Sequence, residues 1–110
     1  MTLLKNIATQ YFAAFSNKDT PSMSPLLADG IKLKDWQVEV NGKASVLQAY
    51  QNIFDSVRSI SVTSKLLMEE FSVVVAQLEI LINEEELISV VDILHFDNEL
   101  KICSVTAFKG

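Results

Sequence analysis

The stretch Leu87-Ile88-Ser89-Val90-Val91-Asp92-Ile93-Leu94-His95-Phe96 decides how the chain is read. It is apolar almost throughout and rich in β-branched side chains, the composition of a strand buried on both faces. One carboxylate, Asp92, stands in its middle. Burying a bare charge there costs too much, so the acid must be paired, hydrogen-bonded or protonated. Side chains alternate along a strand, which puts Asp92 on one face with Ile88, Val90, Leu94 and Phe96. His95 falls on the opposite face, at a sheet edge or a subunit contact.

The pattern upstream predicts a partner strand over residues 71–82 and a hairpin loop in Asn83-Glu84-Glu85-Glu86. With Glu84-Glu85 as a two-residue turn, Leu81 faces Ile88, Glu79 faces Val90 and Gln77 faces Asp92. Gln77, Glu79 and Asp92 then form a polar island on one face. Ala76, Leu78, Ile80, Ile82, Leu87, Val91 and Ile93 share the other. A slip of one residue would exchange the faces. Both faces need cover and two helices cover only one, so a homodimer through the sheet is expected.

The helices precede this hairpin. Leu4, Ile7, Ala8, Tyr11, Phe12 and Phe15 follow helical spacing over residues 3–15, with Thr2 as N-cap. A short helix starting at Thr20-Pro21 carries Met23, Leu26 and Leu27, and Asp29-Gly30 predicts a turn. A strand over 31–35 and an extended segment over 36–40 lead to a tight turn at Asn41-Gly42. A second long helix over 44–57 buries Val46, Leu47, Tyr50, Ile53, Phe54 and Val57. Strands over 61–69 and 101–108 complete the sheet, with Cys103 expected in the core. Helices followed by a run of strands indicate an α+β domain.

Composition narrows the function. The 110 residues suit one domain, and 49% of them are hydrophobic, enough for a core. A net charge of -5 with scattered Lys and Arg argues against nucleic acid as a partner. No apolar run is long enough to cross a bilayer, and the opening Met1-Thr2-Leu3-Leu4-Lys5 lacks a signal-peptide pattern, so no membrane role and a cytoplasmic location are expected. One Cys and one His exclude an internal disulfide and argue against a metal site. No cofactor is implied.

The chain resembles the nuclear transport factor 2-like superfamily, in its SnoaL-like and ketosteroid isomerase-like branch. The resemblance rests on Gln10-Tyr11-Phe12-Ala13-Ala14-Phe15-Ser16-Asn17-Lys18-Asp19, Leu27-Ala28-Asp29, Asn41-Gly42-Lys43 opening a helix, and Val91-Asp92-Ile93-Leu94-His95-Phe96-Asp97 followed by Lys101-Ile102. It implies a cone-shaped roll, in which a curved sheet wraps the N-terminal helix around an apolar pocket. It also implies a ligand that is apolar or carbonyl-containing, and three catalytic positions. Asp35 would be the base that moves a proton next to a carbonyl. Tyr11 and a protonated Asp92 would hold the enolate oxygen. Phe15, Trp36, Phe54, Gln77, Glu79, Val90, Leu94 and Val105 would form the substrate wall. Trp36 stands where the family usually has proline after the base, which alters that loop and argues against a steroid-sized substrate.

Each of the three has a structural alternative. Tyr11 can be a core phenol, Asp35 the exposed end of a strand, and Asp92 a partner of Lys109 or of the Tyr11 hydroxyl. For the whole chain the alternatives are a non-catalytic ligand-binding or protein-association module, or a related lyase, cyclase or hydrolase.

Overall fold

In the computed structural model, which describes residues 2–110, the helices and an open six-stranded sheet enclose one core. Helix α1 (Leu3–Ser16) is followed by the single turn α2 (Thr20–Met23) and a 3-10 turn (Ser24–Leu26). Strands β1 (Leu27–Lys34) and β2 (Glu39–Asn41) form a hairpin, and helix α3 (Lys43–Ser56) crosses back. Strands β3 (Ile60–Glu70), β4 (Val73–Ile82), β5 (Glu86–Phe96) and β6 (Ile102–Lys109) complete the sheet in the order β2-β1-β6-β5-β4-β3. All pairings are antiparallel except β1 with β6, so the sheet is mixed.

Helix α1 buries Leu4, Ala8, Tyr11 and Phe12, the predicted stripe. Its end is fixed by backbone bonds from Lys18 N–H to Phe15 O and from Asp19 N–H to Ala14 O, with Lys18 at φ 53. The Ser16 hydroxyl accepts from Val62 N–H at 2.8 Å and ties the helix to β3. Thr2 takes the N-cap position without capping; its hydroxyl bonds the Glu69 carboxylate instead. Asp29-Gly30 is not a turn. It lies inside β1, in the irregular stretch between Leu27 and Lys32, the residues on either side that pair with β6. The turn at Asn41-Gly42 does form: Gly42 adopts φ 91, which glycine tolerates, and donates to Ile31 O at 2.7 Å.

The β4–β5 register differs from expectation by one residue. Ala76 faces Asp92, Leu78 faces Val90 and Ile80 faces Ile88. Asn83 and Glu84 both adopt left-handed backbone, φ 56 and 62, and Glu85 N–H closes the turn on Ile82 O at 3.0 Å. The loop therefore spans three residues before Ile82 meets Glu86. The Asn83 side-chain oxygen pins it by accepting from Arg58 N–H at 2.7 Å and Ser59 N–H at 3.3 Å. Replacing Asn83 by Ala should destabilise the chain by about 1–3 kcal/mol, from the left-handed backbone and the two lost bonds. Urea unfolding checks this, and Asn83→Gly should recover only the backbone part.

The slip exchanges the faces of β4. Ala76, Leu78, Ile80 and Ile82 now share the inner face with Asp92, under the helices. Gln77 and Glu79 turn to the outer face, where Glu79 pairs with Lys65 at 3.1 Å. The expected polar island does not exist: the β4 residues that face Asp92 are apolar, Ala76 flanked by Val74 and Leu78. His95 is exposed on the outer face, as expected. Cys103 is half-buried rather than in the core, because it sits in a bulge of β6: Phe96 pairs with Ile102 and His95 with Ser104, which takes Cys103 out of the alternation.

Candidate functional site

The inner face of the sheet and the two long helices enclose a cavity of about 320 Å³. Alternation along the strands builds its floor. Glu86, Ile88, Val90 and Asp92 reach it from β5, and Val105, Ala107 and Lys109 from β6. Helix α1 contributes Tyr11 and Phe15, and helix α3 contributes Tyr50, Ile53 and Ser56. The loop after β1 closes one side with Asp35, Trp36 and Gln37.

Tyr11, Asp35 and Asp92, far apart in sequence, therefore line one space. Asp92 is 8% exposed and makes no hydrogen bond or ion pair to any described residue. Neither structural alternative holds for it: Lys109 lies over the Trp36 ring, 5.9 Å from its centroid, and Tyr11 bonds elsewhere. Burial away from water pushes the Asp92 carboxyl up to about 7, and the charge of Asp35 adds to the rise. The acid thus meets the cost of burial by holding its proton near neutral pH.

Tyr11 and Tyr50 join their hydroxyls at 2.5 Å, both rings fully packed. Burial raises both phenols well above their ordinary range, so both stay protonated. In a pair of neutral hydroxyls one donates to the other, and one hydrogen remains for a third acceptor. The rings are held by edge contacts: Phe15 meets Tyr50 at 5.3 Å and Phe54 at 5.0 Å.

Asp35 is half-buried, and its own carboxylate shapes its loop. Oδ1 accepts from Gln37 N–H and Val38 N–H, each at 2.7 Å, while Asp35 N–H donates to Val38 O at 2.9 Å. Only Oδ1 is engaged in these bonds, which leaves the second oxygen for other chemistry.

Of the expected wall, Phe15, Trp36, Val90 and Val105 line the cavity. Four residues do not. Phe54 stands behind Phe15 as its support, and Leu94 is sealed in the core at 0% exposure. Gln77 and Glu79 lie on the outer face through the register slip. Sequence reading placed Tyr50 only in a buried stripe; a tyrosine hydroxyl on such a stripe needs a partner, and that was the available signal. It took Glu86 only as part of a loop and Lys109 only as a possible partner of Asp92, whereas both line the cavity. Among the described residues no cluster of three or more His, Cys, Asp or Glu side chains is disposed to hold a metal ion. No helix among them is long and apolar enough to cross a membrane.

No protein-family model matches the chain, and a sequence search of curated proteins finds no match. Similarity appears at the level of structure. A provisionally assigned SnoaL-like polyketide cyclase from Shewanella denitrificans OS-217 superposes with TM-score 0.89 at 14% identity, covering 100% of this chain and 92% of that one. A provisionally assigned ketosteroid isomerase from Kribbella flavida DSM 17836 gives 0.85 at 17% identity, covering 97% and 77%. An LEH-like epoxide hydrolase from M. tuberculosis gives 0.85 at 11% identity, covering 97% and 82%. With its helices against one face of an open mixed sheet, the chain has the NTF2-like fold, in the form shared by SnoaL-like and ketosteroid isomerase-like proteins.

Proposed function

We propose that the cavity binds a small carbonyl compound and moves a proton between carbons beside the carbonyl. The observation that carries this reading is the lone buried Asp92, facing a cavity it shares with a second carboxylate and a pair of phenols. Asp35 takes the proton as base. The developing enolate oxygen accepts hydrogen bonds from the Tyr11 hydroxyl, whose own oxygen accepts from Tyr50, and from protonated Asp92. Asp35 then returns the proton to a different carbon. Two acids with different environments supply the two roles, one ionised and one neutral.

The volume favours a ligand of one or two rings, since 320 Å³ is at the low end of the roughly 300–1,000 Å³ typical of ligand sites. The test is a panel of β,γ-unsaturated ketones, followed by the absorbance of the conjugated product and by deuterium exchange at the α-carbon. Turnover or exchange above the buffer rate supports the reading, and neither across the panel contradicts it.

The outer face supports a second proposal about assembly, a homodimer through the sheet. Leu66, Met68, Leu87, Val91 and Phe108 are exposed there, between 37% and 59%. Together they make an apolar surface of the kind that isologous dimers bury. Light scattering should give twice the chain mass of 12.3 kDa, and Phe108→Glu should shift it towards one.

A further inference from the structure

Lys109 is the only cation among the described residues that line the cavity. It has no carboxylate partner among them. Its place is fixed by the strand. Val90 pairs with Lys109, and Gly110 N–H continues the ladder by donating to Ser89 O at 2.8 Å. Alternation then aims Lys109 inward, in line with Val105 and Ala107. The indole of Trp36 holds its ammonium by a cation–π contact, on the loop that carries Asp35.

The cavity therefore has two unlike ends. Asp92 faces Ala107 across the ladder, so Asp92 and Lys109 are diagonal neighbours, with backbones about 7–8 Å apart. Glu86 lies four residues from the Val90 position, roughly 13 Å farther along β5. It is too distant to neutralise the ammonium.

Resting on the ligand-binding reading above, we propose that the preferred ligand is a carbonyl compound bearing a carboxylate, with its carbonyl at Asp92 and Tyr11 and its carboxylate on Lys109. A single negative charge suits this site better than two. One ammonium is available, and the Asp35 carboxylate, on the loop that carries Trp36, opposes a dianion such as a phosphate ester.

Calorimetry with matched phenols, whose oxygen stands for the enolate, tests this. The probes are 4-ethylphenol, 3-(4-hydroxyphenyl)propionate and the phosphate monoester of 4-hydroxyphenylethanol. At low salt the carboxylate should bind about tenfold tighter than 4-ethylphenol. That preference should shrink as salt is added. It should fall to about one in Lys109→Met and persist in Lys109→Arg. Equal affinities in the unaltered chain, a preference surviving Lys109→Met, or tighter binding of the phosphate than of the carboxylate would overturn the proposal while leaving the cavity a ligand site. Failure of every phenol to bind would overturn the ligand-binding reading, and this inference with it.

Discussion

Under the proposed proton transfer, Asp35→Asn is expected to lower the isomerisation rate by about 10²–10⁴-fold, the usual contribution of a positioned base. Asparagine is the informative replacement because of how the loop is built. Oδ1 of Asp35 accepts from two backbone N–H groups at 2.7 Å, and an amide oxygen accepts the same two bonds. The loop and the place of Trp36 should persist, while the group that takes the proton is gone. Asp35→Ala would remove both and confuse geometry with chemistry. Kinetics of the ketone panel, with 4-ethylphenol affinity as a control for the intact cavity, separate the two. A rate within a fewfold of the unaltered chain would exclude Asp35 as the base.

Asp92→Asn should make the folded chain more stable, by an amount that grows with pH. Asp92 titrates near 7 when folded and near 3.8 when unfolded. Below 3.8 it is protonated in both states and contributes no pH dependence. Between the two values the unfolded chain has released a proton that the folded chain keeps, so stability falls as pH rises. Above 7 the loss is complete, up to about 4 kcal/mol at 1.36 kcal/mol per unit. Asparagine has nearly the same shape and cannot ionise. Urea unfolding at pH 4.5, 6 and 8 should show the variant gaining on the parent at each step. A difference that stays constant across that range would contradict the titration of Asp92.

The two variants show what sequence alone made legible. Asp92 stood out because a carboxylate in a run of β-branched residues has to be explained locally. The period of its helix buried Tyr11, but its place at the site, like that of Asp35, was implied by the resemblance alone. The helices and four long strands were likewise visible, because hydrophobic periodicity is a local signal. The register of β4 on β5 was not. It depends on Asn83 and Glu84 taking left-handed backbone, which is stabilised where the Asn83 side chain meets Arg58 and Ser59, far back in the chain. That error placed Gln77 and Glu79 in the cavity and made it too polar. The role of Tyr50 was hidden for the same reason: its hydroxyl partner lies on another helix, and only the packed fold brings the two together. Asp29-Gly30 reads as a turn by composition, but it is an irregularity within β1, whose residues on either side pair with a strand at the far end of the chain.

The account depends most on the proton that Asp92 keeps. Carbon-13 NMR of the chain labelled at aspartate carboxyls, titrated from pH 3 to 9 and assigned through Asp92→Asn, measures it directly. The structure predicts one carboxyl titrating near 7. An Asp92 resonance that titrates near 3.8, like an exposed aspartate, would contradict it.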